Sequence, residues 1–312
     1  MNRFIPTFLF ASSLFLFQGC SLLSKTADAS DQEQQSMEHH DMSNMDEDSS
    51  HHDMNNMNMD GESTPGNSHH DMSNMQEETV KTETEAKLTV PDAIAPNQSF
   101  PLAINIQDSA GNPVSNFDIS LEKRMHLIVV SDDLEFFAHI HPKYTDQGQF
   151  DIEPSLPKAG NYTLFSDYKP AGDAERVSLM HLSVAGTKEA SAKIDKSSTK
   201  SFGKTKVSFS TDKEQIKANE PLTLKFDIQD TATNTPVKDL QPYLGKTGHL
   251  IIVKQSNTLT SEDYIHAHAT EGTALGKVDF ETQFPEPGKY KLWGQFNRNG
   301  KIITADFWVN VL

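Results

Sequence analysis

The chain has 312 residues and a formal net charge of −17, with 27 Lys and Arg against 44 Asp and Glu. Such a surface repels nucleic acid and anionic headgroups and attracts cations. A single cysteine, Cys20, excludes an intrachain disulfide and any cysteine-based zinc or redox motif.

The first segment, 1–20, reads as a targeting signal. Arg3 precedes an apolar run from Phe4 to Phe17. A stable membrane span needs about 20 apolar residues, so this run is too short to be one. It ends in Phe17-Gln18-Gly19-Cys20, which resembles the lipobox of bacterial lipoproteins. The resemblance implies that Cys20 is lipidated and becomes the new N-terminus. The chain would then be held on the extracytoplasmic side of a bacterial membrane, in the cell envelope. The other reading is an ordinary secretory signal with an incidental cysteine.

Residues 21–86 are built from Asp, Glu, Ser, Asn, Gln, His and Met. With almost no apolar residue besides Met, this segment cannot offset its ordering entropy, and disorder is expected. It repeats one phrase three times, HHDMSNM at 39–45, HHDMNNM at 51–57 and HHDMSNM at 69–75. The candidate ligands of this arm are His39, His40, Met42, Met45, His51, His52, Met54, Met57, Met59, His69, His70, Met72 and Met75. Thioether sulfur is soft and uncharged, suited to Cu(I) and Ag(I) and poor for Zn(II), while imidazole serves Cu(I), Cu(II) and Zn(II). The mixture points to copper or silver. A zinc or nickel buffer using only the histidine pairs, or a drifting polar linker, are the alternatives.

From residue 87 the chain changes to short β-rich runs separated by turn signals, with no helical period, as in a β-sandwich. The pattern then repeats. APNQSFPLAINIQD (95–108) matches KANEPLTLKFDIQD (217–230), RMHLIVVS (124–131) matches TGHLIIVK (247–254), and FAHIHP (137–142) matches YIHAHA (264–269). LPKAGNYTLFSDY (156–168) matches FPEPGKYKLWGQF (284–296). The fold class is therefore all-β, with two tandem immunoglobulin-like sandwiches at 87–186 and 202–312 joined by a linker at 187–201. Both copies carry Pro-x-x-Gly-x-Tyr-x-Leu, ending in Tyr162-Thr163-Leu164 and Tyr290-Lys291-Leu292. Gly-x-Tyr before a strand resembles the tyrosine corner of immunoglobulin-like domains, where the phenol bonds to upstream backbone.

Six histidines of these domains repeat: His126 matches His249, and the pair His139 and His141 matches His266 and His268. Alternate residues of a strand share a face, so a His-x-His places two imidazoles on one side, about 7 Å apart at the Cα. A His on the hairpin-neighbour strand can complete a three-imidazole site for Cu(I), Cu(II) or Zn(II). One such site per domain is expected. His181, which has no counterpart in the second copy, is a candidate fourth ligand in the first domain or a plain strand residue. Met125 should point to the opposite face from His126 and pack.

No Gly-x-Ser-x-Gly, His-Glu-x-x-His, phosphate-binding glycine loop or cysteine nucleophile occurs in the domains, so an enzyme is not expected. The acidic pairs Asp132-Asp133 and Glu262-Asp263 read as solvated loop residues. The segments Met125–Val130, Phe137–Pro142 and Pro157-x-x-Gly160-x-Tyr162 resemble the extracytoplasmic YtkA-like β-sandwich family and, more distantly, CopC-type copper-resistance proteins. The resemblance implies export and a sandwich fold, and suggests copper. The CopC-type site, which uses a free N-terminal amine, is not carried over. The expected function is buffering copper or passing it to an exporter or acceptor protein. A zinc-binding lipoprotein and a surface adhesion or scaffold protein without metal are the rivals.

Overall fold

The structure is a computed structural model that describes residues 83–312. The apolar segment ending in Cys20 and the His/Met arm lie outside the described residues. The described residues lie within one compact unit.

The first domain runs β1 (Thr84–Thr89), β2 (Leu102–Asp108), β3 (Met125–Ser131), β4 (Phe137–Ile140), β5 (Lys143–Tyr144), β6 (Gln149–Ile152), β7 (Gly160–Tyr168) and β8 (Arg176–Val184). The second runs β9 (Thr199–Phe202), β10 (Thr205–Thr211), β11 (Pro221–Asp230), β12 (Leu240–Gln241), β13 (His249–Lys254), β14 (Tyr264–His268), β15 (Lys277–Gln283), β16 (Gly288–Arg298) and β17 (Lys301–Val311). A single 3-10 turn, Ser261–Asp263, is the only helical element among the described residues.

Each domain is two antiparallel sheets face to face. In the first they are ordered β1-β2-β6-β5 and β4-β3-β7-β8. In the second they are β15-β11-β10-β9 and β12-β16-β13-β14, with β17 on the other edge of β16. The duplication is thus a duplication of topology. β1 opens three residues ahead of the boundary at 87, because Ala86 and Leu88 already alternate inward. β9 begins within 187–201, since Thr199–Phe202 pair with β10.

The sheets form where alternation allows burial on one face. Leu102, Ile104 and Ile106 of β2 point inward with Phe100 and Phe150, and Leu222, Leu224, Phe226 and Ile228 of β11 do the same in the second copy. Met125 is 1% exposed in the first core, packing as expected. Gly148 and Gly276 hold equivalent turns at φ of +80 and +70, and a Cβ there would meet the Ile106 and Ile228 carbonyls at 2.6 Å. Only glycine fits both demands.

β3 departs from alternation. Every residue from Met125 to Val130 is buried, and so is His249–Val253 of β13. One face feeds each domain's own core. The other carries Ile128, Val130 and Phe165 from the first domain and Ile251, Val253, Tyr264 and Trp293 from the second into a shared third core. Phe137 stacks on Trp293 with ring centroids 4.8 Å apart, and Phe165 stacks on Tyr264 at 4.9 Å. Phe137 and Tyr264 stand at equivalent positions of the repeat, as do Phe165 and Trp293. The two domains therefore meet through the same sheet face, each offering a ring to the other.

Both tyrosine corners are formed: Tyr162 Oη donates to Lys158 O at 2.8 Å and Tyr290 Oη to Glu286 O at 2.9 Å. Each bond leaves a carbonyl short of a partner when removed, so Tyr162→Phe and Tyr290→Phe should each lower stability by about 1 kcal/mol. Urea midpoints at constant m check this; unchanged midpoints would show that the corner bonds contribute nothing.

Candidate metal centre

β3 and β4 form a hairpin in which Ile128 lies opposite His139. Two residues along, the same register sets His126 opposite His141. In the second domain His249 lies opposite His268 and Ile251 opposite His266. All six imidazoles fall on the outer sheet face, beside the shared core. In the first triad the His126–His139, His126–His141 and His139–His141 centroids are 5.2, 5.1 and 4.9 Å apart. In the second, His249–His266, His249–His268 and His266–His268 are 5.5, 5.4 and 4.6 Å apart. In each triad one ligand atom per histidine lies within 4.8 Å of the other two.

The tautomers follow from partners that can only accept. His126 Nε2 lies 3.1 Å from Ser120 O, so it carries the proton and Nδ1 is bare. His139 Nδ1 lies 2.7 Å from Gln295 Oε1 and donates to it, leaving Nε2 bare. Those two bare nitrogens face each other at 3.0 Å. The second triad repeats the arrangement. His249 Nε2 donates to Tyr243 O at 2.8 Å and His266 Nδ1 to Asp167 Oδ2 at 3.0 Å, which sets the bare His249 Nδ1 and His266 Nε2 3.3 Å apart. The third member of each triad presents a buried Nε2 without a hydrogen-bond partner, in His141 and in His268.

Lone pairs aimed at each other in a buried site repel, and an ion coordinated by both would relieve that repulsion. A tetrahedral ion with Zn–N bonds of about 2.0–2.1 Å separates neighbouring nitrogens by roughly 3.3 Å, close to what is found. The donor set, three neutral imidazoles of which two have the other ring nitrogen tied back, fits copper or zinc.

A proton is a poor alternative occupant. Burial lowers all six histidines from 6.5. His139 is pushed to about 2 by burial and the charge of His266, His141 to about 3 by burial and His126, and His249 to about 4 by burial and His268. His266 is driven well below its usual range by the same causes, with His268 the main neighbour.

Two local devices aim the first histidine of each triad. Leu121 and Glu122 adopt φ of 49° and 67°, and Leu244 and Gly245 adopt 51° and 73°. These are two-residue turns closed by reciprocal backbone bonds between Ser120 and Lys123 and between Tyr243 and Lys246. Consecutive positive φ is the I′ pattern, here carried largely by non-glycine residues. The turns present the Ser120 and Tyr243 carbonyls to His126 and His249.

His181 is not part of either triad. It lies exposed on β8, opposite Thr163, with Nδ1 3.3 Å from Thr163 Oγ1. The β8 residue level with His126 through Asp167 is Val177, about 13 Å away along the strand by its rise. Asp263, read as solvated, is 9% exposed and accepts from Thr260 N at 2.8 Å and Thr260 Oγ1 at 3.1 Å, closing the 3-10 turn. Sequence reasoning missed Asp167 and Gln295. Their signal was a polar side chain at the same place in two apolar strands, FSDY and WGQF.

The lowered histidines make acid destabilising for the metal-free chain. The unfolded state binds protons from about pH 6.5 downward while the folded state binds fewer there, so stability rises with pH across that window. Asp167, raised by burial, works in the opposite sense as one group against six. Stability should be flat above pH 7 and fall between pH 6.5 and 5, where carboxylates at ordinary values contribute little. Urea titrations at pH 7.5, 6 and 5 check it, and a constant midpoint would contradict it.

Comparison with known proteins adds the following. No curated protein matches the chain. Among solved structures, a two-domain fibronectin type-III segment of chicken tenascin is 14% identical, covering 73% of this chain and 99% of its own, with a TM-score of 0.20. The Escherichia coli adhesin FdeC is 16% identical over 73% of this chain, at a TM-score of 0.24, and the chain spans 64% of that protein's length. Trypsin-activated alpha-2-macroglobulin from Escherichia coli is 12% identical over 73% of this chain and 16% of its own, at 0.25. Likenesses this distant carry no functional argument. Both sandwiches match one family model, a domain of unknown function (DUF8832), over residues 78–185 and 200–312, and the chain belongs to that family.

Proposed function

We propose that this protein binds copper outside the cytoplasm, held to the membrane through lipid on Cys20, and buffers the ion or hands it to an exporter or acceptor protein. The observation that carries the reading is the confrontation of bare imidazole nitrogens at 3.0 and 3.3 Å, repeated at equivalent positions of both domains. His126, His139 and His141 would hold one ion, and His249, His266 and His268 another. The HHDMxNM repeats supply the preference for copper, because thioethers favour Cu(I). The resemblance to YtkA-like and CopC-type proteins belongs to the same reading. The domains' role is binding, with no catalytic step assigned to them.

Zinc is the second reading, since three imidazoles without sulfur are also a zinc donor set. Competition decides between the two. A chain of residues 78–312, which keeps β1 whole, should take up close to two Cu(II) ions, one per triad. His139→Ala with His266→Ala should weaken both sites by at least the roughly 10–100-fold typical of losing an outer-shell partner. Tighter binding of Zn(II) than of either copper state would make zinc the ion. No uptake of any of them at micromolar concentration would leave the domains as an adhesion or scaffold module.

Cys20→Ala should move the protein from the membrane fraction to the soluble fraction or leave it unprocessed. Mature-sized, membrane-bound protein in that variant would refute the anchor.

A further inference from the structure

The two triads are not copies of one site. His139 and His266 are equivalent in the repeat, and each sends its Nδ1–H across the domain interface. The acceptors, Gln295 and Asp167, are equivalent to each other on β16 and β7. The crossing is reciprocal, but the acceptors differ in charge. Tyr264 Oη gives Asp167 a second donor at 3.4 Å. Phe137 stands at the position equivalent to Tyr264, so it offers Gln295 no phenol. The triads are also close. Centroids lie 5.4 Å apart for His126–His266, 5.7 Å for His139–His266 and 6.1 Å for His139–His249.

Resting on the metal-binding reading, we propose that the six histidines form one interdomain centre in which Asp167 makes His249, His266 and His268 the triad that fills first. Gln295 leaves His126, His139 and His141 the weaker one. A carboxylate hydrogen-bonded to a ligand imidazole raises its basicity and fixes its orientation. It also brings negative charge into a buried cluster where charges are poorly screened. A neutral amide orients without either gain. Once one ion is held, the second enters a cluster that is already positive. The repulsion scales with the product of the charges, so two dications oppose each other four times as strongly as two monocations. Stepwise filling is therefore expected for divalent ions and more nearly equal filling for Ag(I). Asp167 and Gln295 act as positioning residues, each serving the other domain's triad. Loading is thereby tied to the domains being docked.

The test titrates the full chain with Zn(II), which is redox-silent, and follows the imidazole ¹⁵N and ¹H resonances of each histidine. The resonances of His249, His266 and His268 should reach saturation before those of His126, His139 and His141. Asp167→Asn, which keeps shape and an acceptor oxygen, should weaken the second-domain triad about 10–100-fold. It should also abolish the order. Asp167→Gln combined with Gln295→Asp should reverse the order, a result that a purely structural role would not produce. Simultaneous filling in the unsubstituted protein, or an order that survives Asp167→Asn, would overturn the inference and leave the metal-binding reading standing. If no domain histidine responds to Zn(II) or, in a parallel Ag(I) titration, to Ag(I), the reading beneath it falls as well.

Discussion

The packing of one β-sheet's outer face against its duplicate governs the rest of this molecule. In a solitary sandwich that face would be wetted, and Ile128, Val130, Ile251, Val253 and Trp293 would be an exposed apolar patch. Docked, all five are at most 3% exposed. Each such side chain contributes about 1.5–3 kcal/mol when fully buried, which makes separation of the domains costly. The histidines sit at the margin of this shared core, and docking is what removes them from water. It also supplies their hydrogen-bond acceptors, since Asp167 and Gln295 each lie on the domain opposite the ring they receive from.

Burial and tautomer then act together. The turn carbonyls of Ser120 and Tyr243 fix the first ring of each triad, and the cross-domain acceptors fix the second. With both outer nitrogens committed as donors, the inner ones have no proton to share. In water such a pair would protonate. Here burial holds the imidazoles neutral, and in each triad two nitrogens without a proton are left facing each other. This differs from an ordinary buried histidine pair, in which one ring donates to the other and nothing further is required.

Much of this was legible in the sequence. The doubled Gly-x-Tyr gave both tyrosine corners, and the two-residue period of His-x-His placed each pair on one face of a hairpin neighbouring His126 or His249. The docking of the domains was not read, although the runs Leu127–Val130 and Leu250–Val253 carried its signature. An antiparallel strand with a solvated face alternates, whereas an unbroken apolar run is buried on both sides. Asp167 and Gln295 could not be assigned before the interface was known, because their partners are about a hundred residues or more distant in the chain. His181 has a ligand's chemistry but lies away from both triads. Register, the property that excludes it, depends on pairings with β7 that composition does not reveal.

The duplication explains why the two triads are alike in geometry and unlike in the acceptors behind them. A fold that docks on its own copy through one face gains every contact twice, as the reciprocal pairs Phe137–Trp293 and Tyr264–Phe165 show. Any residue that served a triad in a symmetric ancestor would have served it on both sides. Within one polypeptide the two copies drift separately, so one side can hold Asp167 with Tyr264 while the other holds Gln295 with Phe137. The backbone register keeps the six rings in place through that drift, because it is set by strand pairing and by the apolar core beside them. Charge behind the rings is free to vary without loss of the fold. A tandem chain can therefore make two neighbouring sites unequal, which an exactly symmetric homodimer cannot do by sequence.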